Sequence, residues 1–150
     1  MPAQTEHRFP LDISVLDATG SRVTLADLRG QARAVALYFM RTGTCPVCTQ
    51  HARALARLDL PTHGVQPVVV VPGSPTHAGR VRRILGDRVT VVSSASAQAH
   101  LAAGLHRTLL LQHSGVMLVD SAGVVRYRLA TALPTGSFDG PALQAAIDRL

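Results

Sequence analysis

The chain has 150 residues, a length that fits one domain, and 47% of them are hydrophobic, enough for a core that needs no disulfide staple. All fifteen basic residues are Arg, and the formal net charge is +6. The arginines are scattered apart from Arg80, Arg82 and Arg83, and aromatics are 3% of the chain, which argues against nucleic acid and for a solvated positive face on one helix.

Residues 1–8 are polar, lack the apolar core of a signal peptide and read as a flexible tail ahead of a single domain over 9–150. Ile13–Leu16 and Arg22–Leu25 flank Asp17-Ala18-Thr19-Gly20-Ser21, a hairpin signal, and Leu25–Leu28 reads as a short helical turn ended by Gly30. Ala34–Met40 is a continuous apolar run of strand length, expected to be buried on both faces. A helix from Pro46 to Leu58 follows, with Pro in the permitted first turn. Val65–Val71 is a second buried strand stopped by Pro72-Gly73. Thr76–Leu85 is helical in pattern with Val81, Ile84 and Leu85 on one side. Arg88–Val92 reads as a strand, and Ser94–Ala103 as a short helix with a Ser cap. Val116–Asp120 and Val124–Arg128 form a hairpin around Ser121-Ala122-Gly123. After a loop over 132–138, Pro141–Leu150 closes the chain as a helix with Leu143, Ala146, Ile147 and Leu150 on one face. No stretch approaches the roughly 18 consecutive apolar residues of a membrane span, so a cytoplasmic protein without a membrane partner is expected. Strand–helix–strand units followed by a hairpin and a helix predict an α/β fold: a central mixed sheet covered by helices on both faces, with an N-terminal β-hairpin.

The only two cysteines, Cys45 and Cys48, stand as Cys-Pro-Val-Cys at the junction of the first buried strand and its helix. A thiol at a helix N-terminus faces unpaired N–H groups and the positive end of the dipole, so its thiolate is favoured. A second thiol one turn later can close a disulfide with it. Redox chemistry is the leading expectation. Two other readings stand beside it. The thiols could be inert core residues, or Cys45, Cys48 and His51 could begin a metal site, although a structural zinc normally takes a fourth ligand and the other histidines show no paired spacing. Arg41, at the mouth of the motif, could lower a thiolate pKa and bind an oxyanion or peroxide, or be a plain surface Arg. Thr44 is placed to cap the helix with its hydroxyl. His51, one turn past Cys48, could assist proton transfer or be an exposed helix histidine. No role is expected for His7, His63 or His77.

The Asp17-Ala18-Thr19-Gly20 hairpin, the strand leading into Thr44-Cys45-Pro46-Val47-Cys48, and the strand and turn of Gly115–Gly123 together resemble the alkyl hydroperoxide reductase/thiol-specific antioxidant group, the peroxiredoxin-like branch of the thioredoxin superfamily. The resemblance covers Phe9–Leu150. It implies a thioredoxin-like fold and a thiol oxidoreductase that reduces peroxides or protein disulfides. Peroxiredoxins end a Pro-x-x-x-Thr-x-x-Cys motif on the peroxide-reacting Cys. Aligned on that spacing, Cys48 takes the attacking place, Cys45 that of the Thr and Arg41 that of the Pro. Thioredoxin-like reductases instead attack with the first Cys, which would be Cys45, and resolve with the second. The Arg of peroxiredoxins and the cis-Pro of thioredoxins both belong near the start of the late strand, where this chain has Gln112-His113-Ser114-Gly115. The buried acid of thioredoxins has no counterpart in Val35–Met40.

The fold should bring His113 near the pair, as a further auxiliary. Both mappings imply a cycle between dithiol and a Cys45–Cys48 disulfide, reduced again by an external dithiol, either thioredoxin-like or a low-molecular-weight thiol, with no metal or organic cofactor. Sheet edges and the resemblance are compatible with a homodimer. A metallochaperone and a redox-sensing interaction module remain as alternatives of other classes.

Overall fold

The computed structural model describes residues 7–94, 98–105, 107–108 and 111–150. In chain order the elements are β1 (Ser14–Leu16), β2 (Arg22–Thr24), α1 (Leu25–Arg29), β3 (Ala34–Phe39), α2 (Pro46–Arg57), β4 (Val65–Val71), α3 (Pro75–Leu85), β5 (Thr90–Ser93), α4 (Gln98–Ala102), β6 (Arg107–Thr108), β7 (Leu111–Gln112), β8 (Ser114–Asp120), β9 (Val125–Thr131) and α5 (Gly140–Asp148). Seven strands form one mixed sheet in the order β2-β1-β5-β4-β3-β8-β9, with β3, β4 and β5 parallel and the remaining neighbours antiparallel.

The apolar runs explain this order. Every residue of β3 is buried, because alternate side chains enter two separate cores. Ala34, Ala36 and Tyr38 face α2, α3 and α5, together with Cys45, Cys48, Leu55, Val81 and Ile147. Val35, Leu37 and Phe39 face the other way, against Phe9, Leu25, Ala99 and Ala103. The expected mixed sheet with helices on both faces is therefore present, and both cysteines lie on one named face of it.

Local chemistry sets the ends of the elements. The hairpin turn is held by Asp17 Oδ1, which accepts from the N–H groups of Thr19 (2.8 Å) and Ser21 (3.0 Å). Thr24 and Asp27 cap α1 reciprocally. Asp120 Oδ1 accepts from Ala122 and Val124 N–H in the β8–β9 turn, where Gly123 takes a φ of 81°.

Several expectations need correction. Ile84 does not share the buried face of α3: it is 45% exposed, and Ala78 joins Val81 and Leu85 inside. Arg88 lies in a 3₁₀ turn over Gly86–Arg88 that delays β5 to Thr90. The late strand begins at Ser114, earlier than its apolar run, and the short pair β6–β7 has no counterpart in the sequence pattern. Of the expected helix over 94–103, residues 95–97 lie outside the described residues, as do residues 1–6 of the tail. His7 and Arg8 already meet the sheet, where the Val125 N–H donates to His7 O (2.8 Å) and Arg8 bridges to Val124. Among the described residues no helix is long and apolar enough to cross a membrane.

His100 on α4 is fully buried and fixes the end of β3. Its Nε2–H donates to the Met40 carbonyl (2.9 Å), and its ring packs edge-on against Phe39 with centroids 5.2 Å apart. Nδ1 is left to accept from Ser94 Oγ (3.5 Å). Burial favours the neutral ring and pushes the pKa from 6.5 down to about 4, against the smaller opposing effect of the Met40 carbonyl. A base with a depressed folded pKa contributes stability that is complete above the unfolded value and is lost as pH falls from 6.5 toward 4. That loss amounts to about 3 kcal/mol. Urea unfolding at pH 7 and pH 4 should show this difference in the wild type and a much smaller one in His100→Gln.

Candidate active site

Cys45 and Cys48 sit where β3 leaves the sheet and α2 begins. Cys45 is itself the N-cap of α2, with extended backbone (φ −70°, ψ 114°), and its Sγ accepts from the Cys48 N–H at 3.3 Å. The cap expected of Thr44 is therefore made by its neighbour. Thr44 lies one residue outside the helix, exposed, with its hydroxyl 3.4 Å from that of Thr42. A thiolate on Cys45 can accept a free helix donor that an oxygen cap would otherwise take. Both cysteines are free thiols; Cys45 is 3% exposed and Cys48 is fully buried.

The two sulfurs differ in acidity. Burial pushes Cys45 up, but hydrogen bonds from the Cys48 thiol and Cys48 N–H, with a hydrogen bond and the positive charge from Arg41, outweigh it and hold Cys45 below the ordinary thiol value. Burial pushes Cys48 up to about 11, reinforced by its hydrogen bond to Cys45 and only partly offset by the Arg41 N–H, which donates to Cys48 Sγ at 3.4 Å. Arg41 thus serves both sulfurs: its main chain holds Cys48 and its guanidinium acts on Cys45. Its Nε is buried without a hydrogen-bond partner.

The late strand arrives beside the motif, as the resemblance implied. Phe39, the last residue of β3, pairs with Gly115, which sets the start of β8 beside the end of β3. Ser114 has the alternation of Val116 and Leu118, both on the cysteine face, and its hydroxyl is fully buried and unpartnered. His113 is half-buried, and its carbonyl accepts from Gln112 Nε2 at 3.4 Å. There is no cis peptide bond among the described residues. On the outer side a cleft of about 450 Å³ opens between α2 and α3, lined by Gly43, Thr44 and Pro46 of the motif and by Arg53, Arg80 and Ile84, with no acidic residue.

His51 is half-buried, not an exposed helix histidine, and its hydrogen bonds go to Tyr38 and Ser137. Its Nδ1 lies 3.2 Å from Tyr38 Oη and 3.1 Å from Ser137 Oγ, and these two oxygens are 2.9 Å apart. Phe138 stacks on the imidazole with centroids 5.8 Å apart. Among the described residues no cluster of three His, Cys, Asp or Glu side chains is placed to hold a metal ion. Tyr38 and Ser137 escape sequence reasoning. Tyr38 carries the one polar side chain of an otherwise apolar strand, and a buried Tyr hydroxyl needs a partner, but the partner lies 99 residues away.

A cysteine pair at a strand–helix junction, on one face of a mixed sheet and with unequal thiol acidities, defines a thioredoxin-fold dithiol enzyme. Residues 6–128 match the AhpC/TSA family, and the chain belongs to that family. No curated protein sequence matches it. Among solved structures it is similar to peroxidoxin BcpB from Mycobacterium tuberculosis (18% identity, 96% of this chain and 94% of that one, TM-score 0.77). It is also similar to a peroxiredoxin-like protein from Aquifex aeolicus (15%, 96% and 85%, TM-score 0.78). A secreted Mycobacterium tuberculosis disulfide oxidoreductase described as homologous to Escherichia coli DsbE has the same fold (16%, 93% and 97%, TM-score 0.67). The protein is a thiol-dependent oxidoreductase of the AhpC/TSA family.

Proposed function

We propose that the enzyme reduces peroxides through a Cys45–Cys48 disulfide cycle in which Cys45 attacks first and Cys48 resolves. The observation that carries this reading is the split in the pair: the outer thiol caps the helix and is acidified, while the inner one is fully buried and pushed up to about 11. In this cycle the Cys45 thiolate attacks one peroxide oxygen, the O–O bond breaks, and the departing oxygen takes a proton and leaves as water or alcohol. Cys45 is left as a sulfenic acid. Cys48 then displaces its oxygen, and the disulfide returns to dithiol by exchange with an external thioredoxin-like or low-molecular-weight thiol. Arg41 Nε and Ser114 Oγ, both buried without partners, are suited to receive the peroxide oxygens. The motif spacing of the family favours Cys48 as the attacking residue instead, and the two orders give opposite outcomes in single variants.

The test is single-turnover oxidation of the reduced enzyme, with hydrogen peroxide in one arm and a small disulfide in the other. Fast peroxide consumption with a gain of one intramolecular disulfide is expected. Fast exchange with the disulfide and slow reaction with peroxide would place the enzyme with the disulfide reductases.

Two further expectations follow from the surroundings. Arg41→Ala should raise the Cys45 pKa, because it removes the hydrogen bond and the positive charge that favour the thiolate, and should slow peroxide attack at neutral pH, read by thiolate absorbance and stopped-flow fluorescence. The basic cleft favours carboxylate-bearing organic hydroperoxides, so Arg53→Glu with Arg80→Glu should raise KM for such a substrate more than for a neutral one. A cytoplasmic setting and a homodimer joined through an open sheet edge at β2 or β9 complete the proposal.

A further inference from the structure

Cys48 is fully buried, yet it must lose a proton each time it closes the disulfide. Tyr38 and Ser137 are also fully buried, so solvent cannot supply a base directly. The three polar atoms of Tyr38, His51 and Ser137 form a closed triangle with sides of 2.9, 3.1 and 3.2 Å. Two of its members adjoin Cys48: His51 lies three residues further along α2, and Tyr38 lies in the same core, where its hydroxyl and the Cys48 thiol act on each other. Resting on the proposed order of attack, the geometry points to a proton path from Cys48 through the Tyr38 hydroxyl to His51, with Ser137 as the positioning residue that holds the other two.

The step balances with one proton released to solvent and one taken from it. The Cys48 sulfur gives an electron pair to the Cys45 sulfur, the S–S bond forms, and the S–O bond of the sulfenic acid breaks. The oxygen leaves with its hydrogen as hydroxide and takes up one proton from solvent to become water. The Cys48 proton passes to Tyr38 Oη as the Tyr38 proton passes to His51 Nδ1, and the half-buried imidazole gives one up to solvent from its other nitrogen. This requires the tautomer of His51 that leaves Nδ1 free to accept.

Interactions with the cysteines reach Tyr38 as well. Burial first, and then the Cys48 charge, oppose ionisation of its phenol, so Tyr38 carries protons without resting as a phenolate. Burial also keeps His51 below the usual histidine range, so it is neutral and able to accept at neutral pH. The groups facing it are Tyr38 from β3 and Ser137 and Phe138 from the segment before α5. Asp139, the nearest acid in that segment, caps α5 through the Ala142 N–H and acts on Tyr127 rather than on His51.

The experiment oxidises Cys45 in the full chain with one equivalent of hydrogen peroxide and follows loss of the sulfenic acid by dimedone quenching and mass spectrometry. It is run from pH 5 to pH 8 in wild type, Tyr38→Phe and His51→Gln. In the wild type the resolution rate should fall as pH drops through a midpoint below 6.5, and it should show a solvent deuterium effect. Tyr38→Phe should slow resolution at least about tenfold at pH 7, toward the ~10²-fold or more of positioned proton transfer. His51→Gln keeps an acceptor for Tyr38 but cannot titrate, so its low-pH limb should vanish. Because His51 is half-buried, that variant carries the test even where Tyr38→Phe fails to fold. Wild-type rates and an unchanged pH limb in His51→Gln would overturn the proton path and leave the dithiol cycle standing. Absence of any Cys45 sulfenic acid in the wild type would instead overturn the order of attack, and the path with it.

Discussion

Cys45→Ser is expected to reduce peroxide turnover to background, a loss on the order of 10³-fold or more, because no other acidified thiol remains. Cys48→Ser should behave differently. It should consume one equivalent of peroxide at a rate close to that of the wild type and then stop, with a sulfenic acid on Cys45 that no neighbour can resolve. The contrast follows from position. Cys45 ends the loop and accepts from the first turn of α2, whereas Cys48 is fully buried, accepts from the Arg41 N–H and shares a core with Tyr38. Rapid mixing with hydrogen peroxide, followed by peptide mapping of the oxidised cysteine, reads both variants. A reversed result, with Cys48→Ser inert and Cys45→Ser competent for one turnover, would return the attacking role to the position that the family motif gives it.

The second large effect is on the scaffold. Gly115 lies in β8, paired with Phe39 on one side and Ala130 on the other. A Cβ there would come within 2.1 Å of the Leu129 carbonyl oxygen and 3.0 Å of Ala130 Cα, both backbone atoms that cannot rotate away. Gly115→Ala should therefore separate β8 from β9 locally and destabilise the protein by about 3 kcal/mol or more, near the upper end of overpacking effects. For a chain of this length that is a fall of roughly 10 °C in Tm by calorimetry. Peroxidase activity should fall with it, because Ser114 and the end of β3 are set by the same pairing.

Much of the framework was legible because buried strands and their stops leave strong local signals. Ala34–Met40, Val65–Val71 and the Pro46 helix start all needed only apolar runs and prolines, and they place the cysteine pair at its junction. Where burial depends on partners, the pattern misled or was silent. Ile84 has helical spacing that suits the buried face, yet α3 turns it toward the cleft beside the motif. β6 and β7 have two residues each and leave no periodicity to read. Thr44 looked like the cap because hydroxyls usually are, but a thiol in the next position fills that role. His51 was visible as a helix histidine one turn past Cys48. Its partners were not, since Ser137 and Phe138 come from an irregular segment whose return to α2 depends on how the β8–β9 hairpin packs α5. His100 was likewise hidden, because its partner is the Met40 carbonyl.

The most direct test of the order of attack is a thiolate titration at 240 nm on the reduced single variants. In Cys48→Ser, the remaining Cys45 should ionise below the ordinary thiol range, because the helix start and Arg41 still act on it. In Cys45→Ser, Cys48 should ionise above the ordinary thiol range, because burial still disfavours its thiolate. The opposite ordering, with Cys48 the more acidic thiol, would contradict Cys45 as the attacking sulfur.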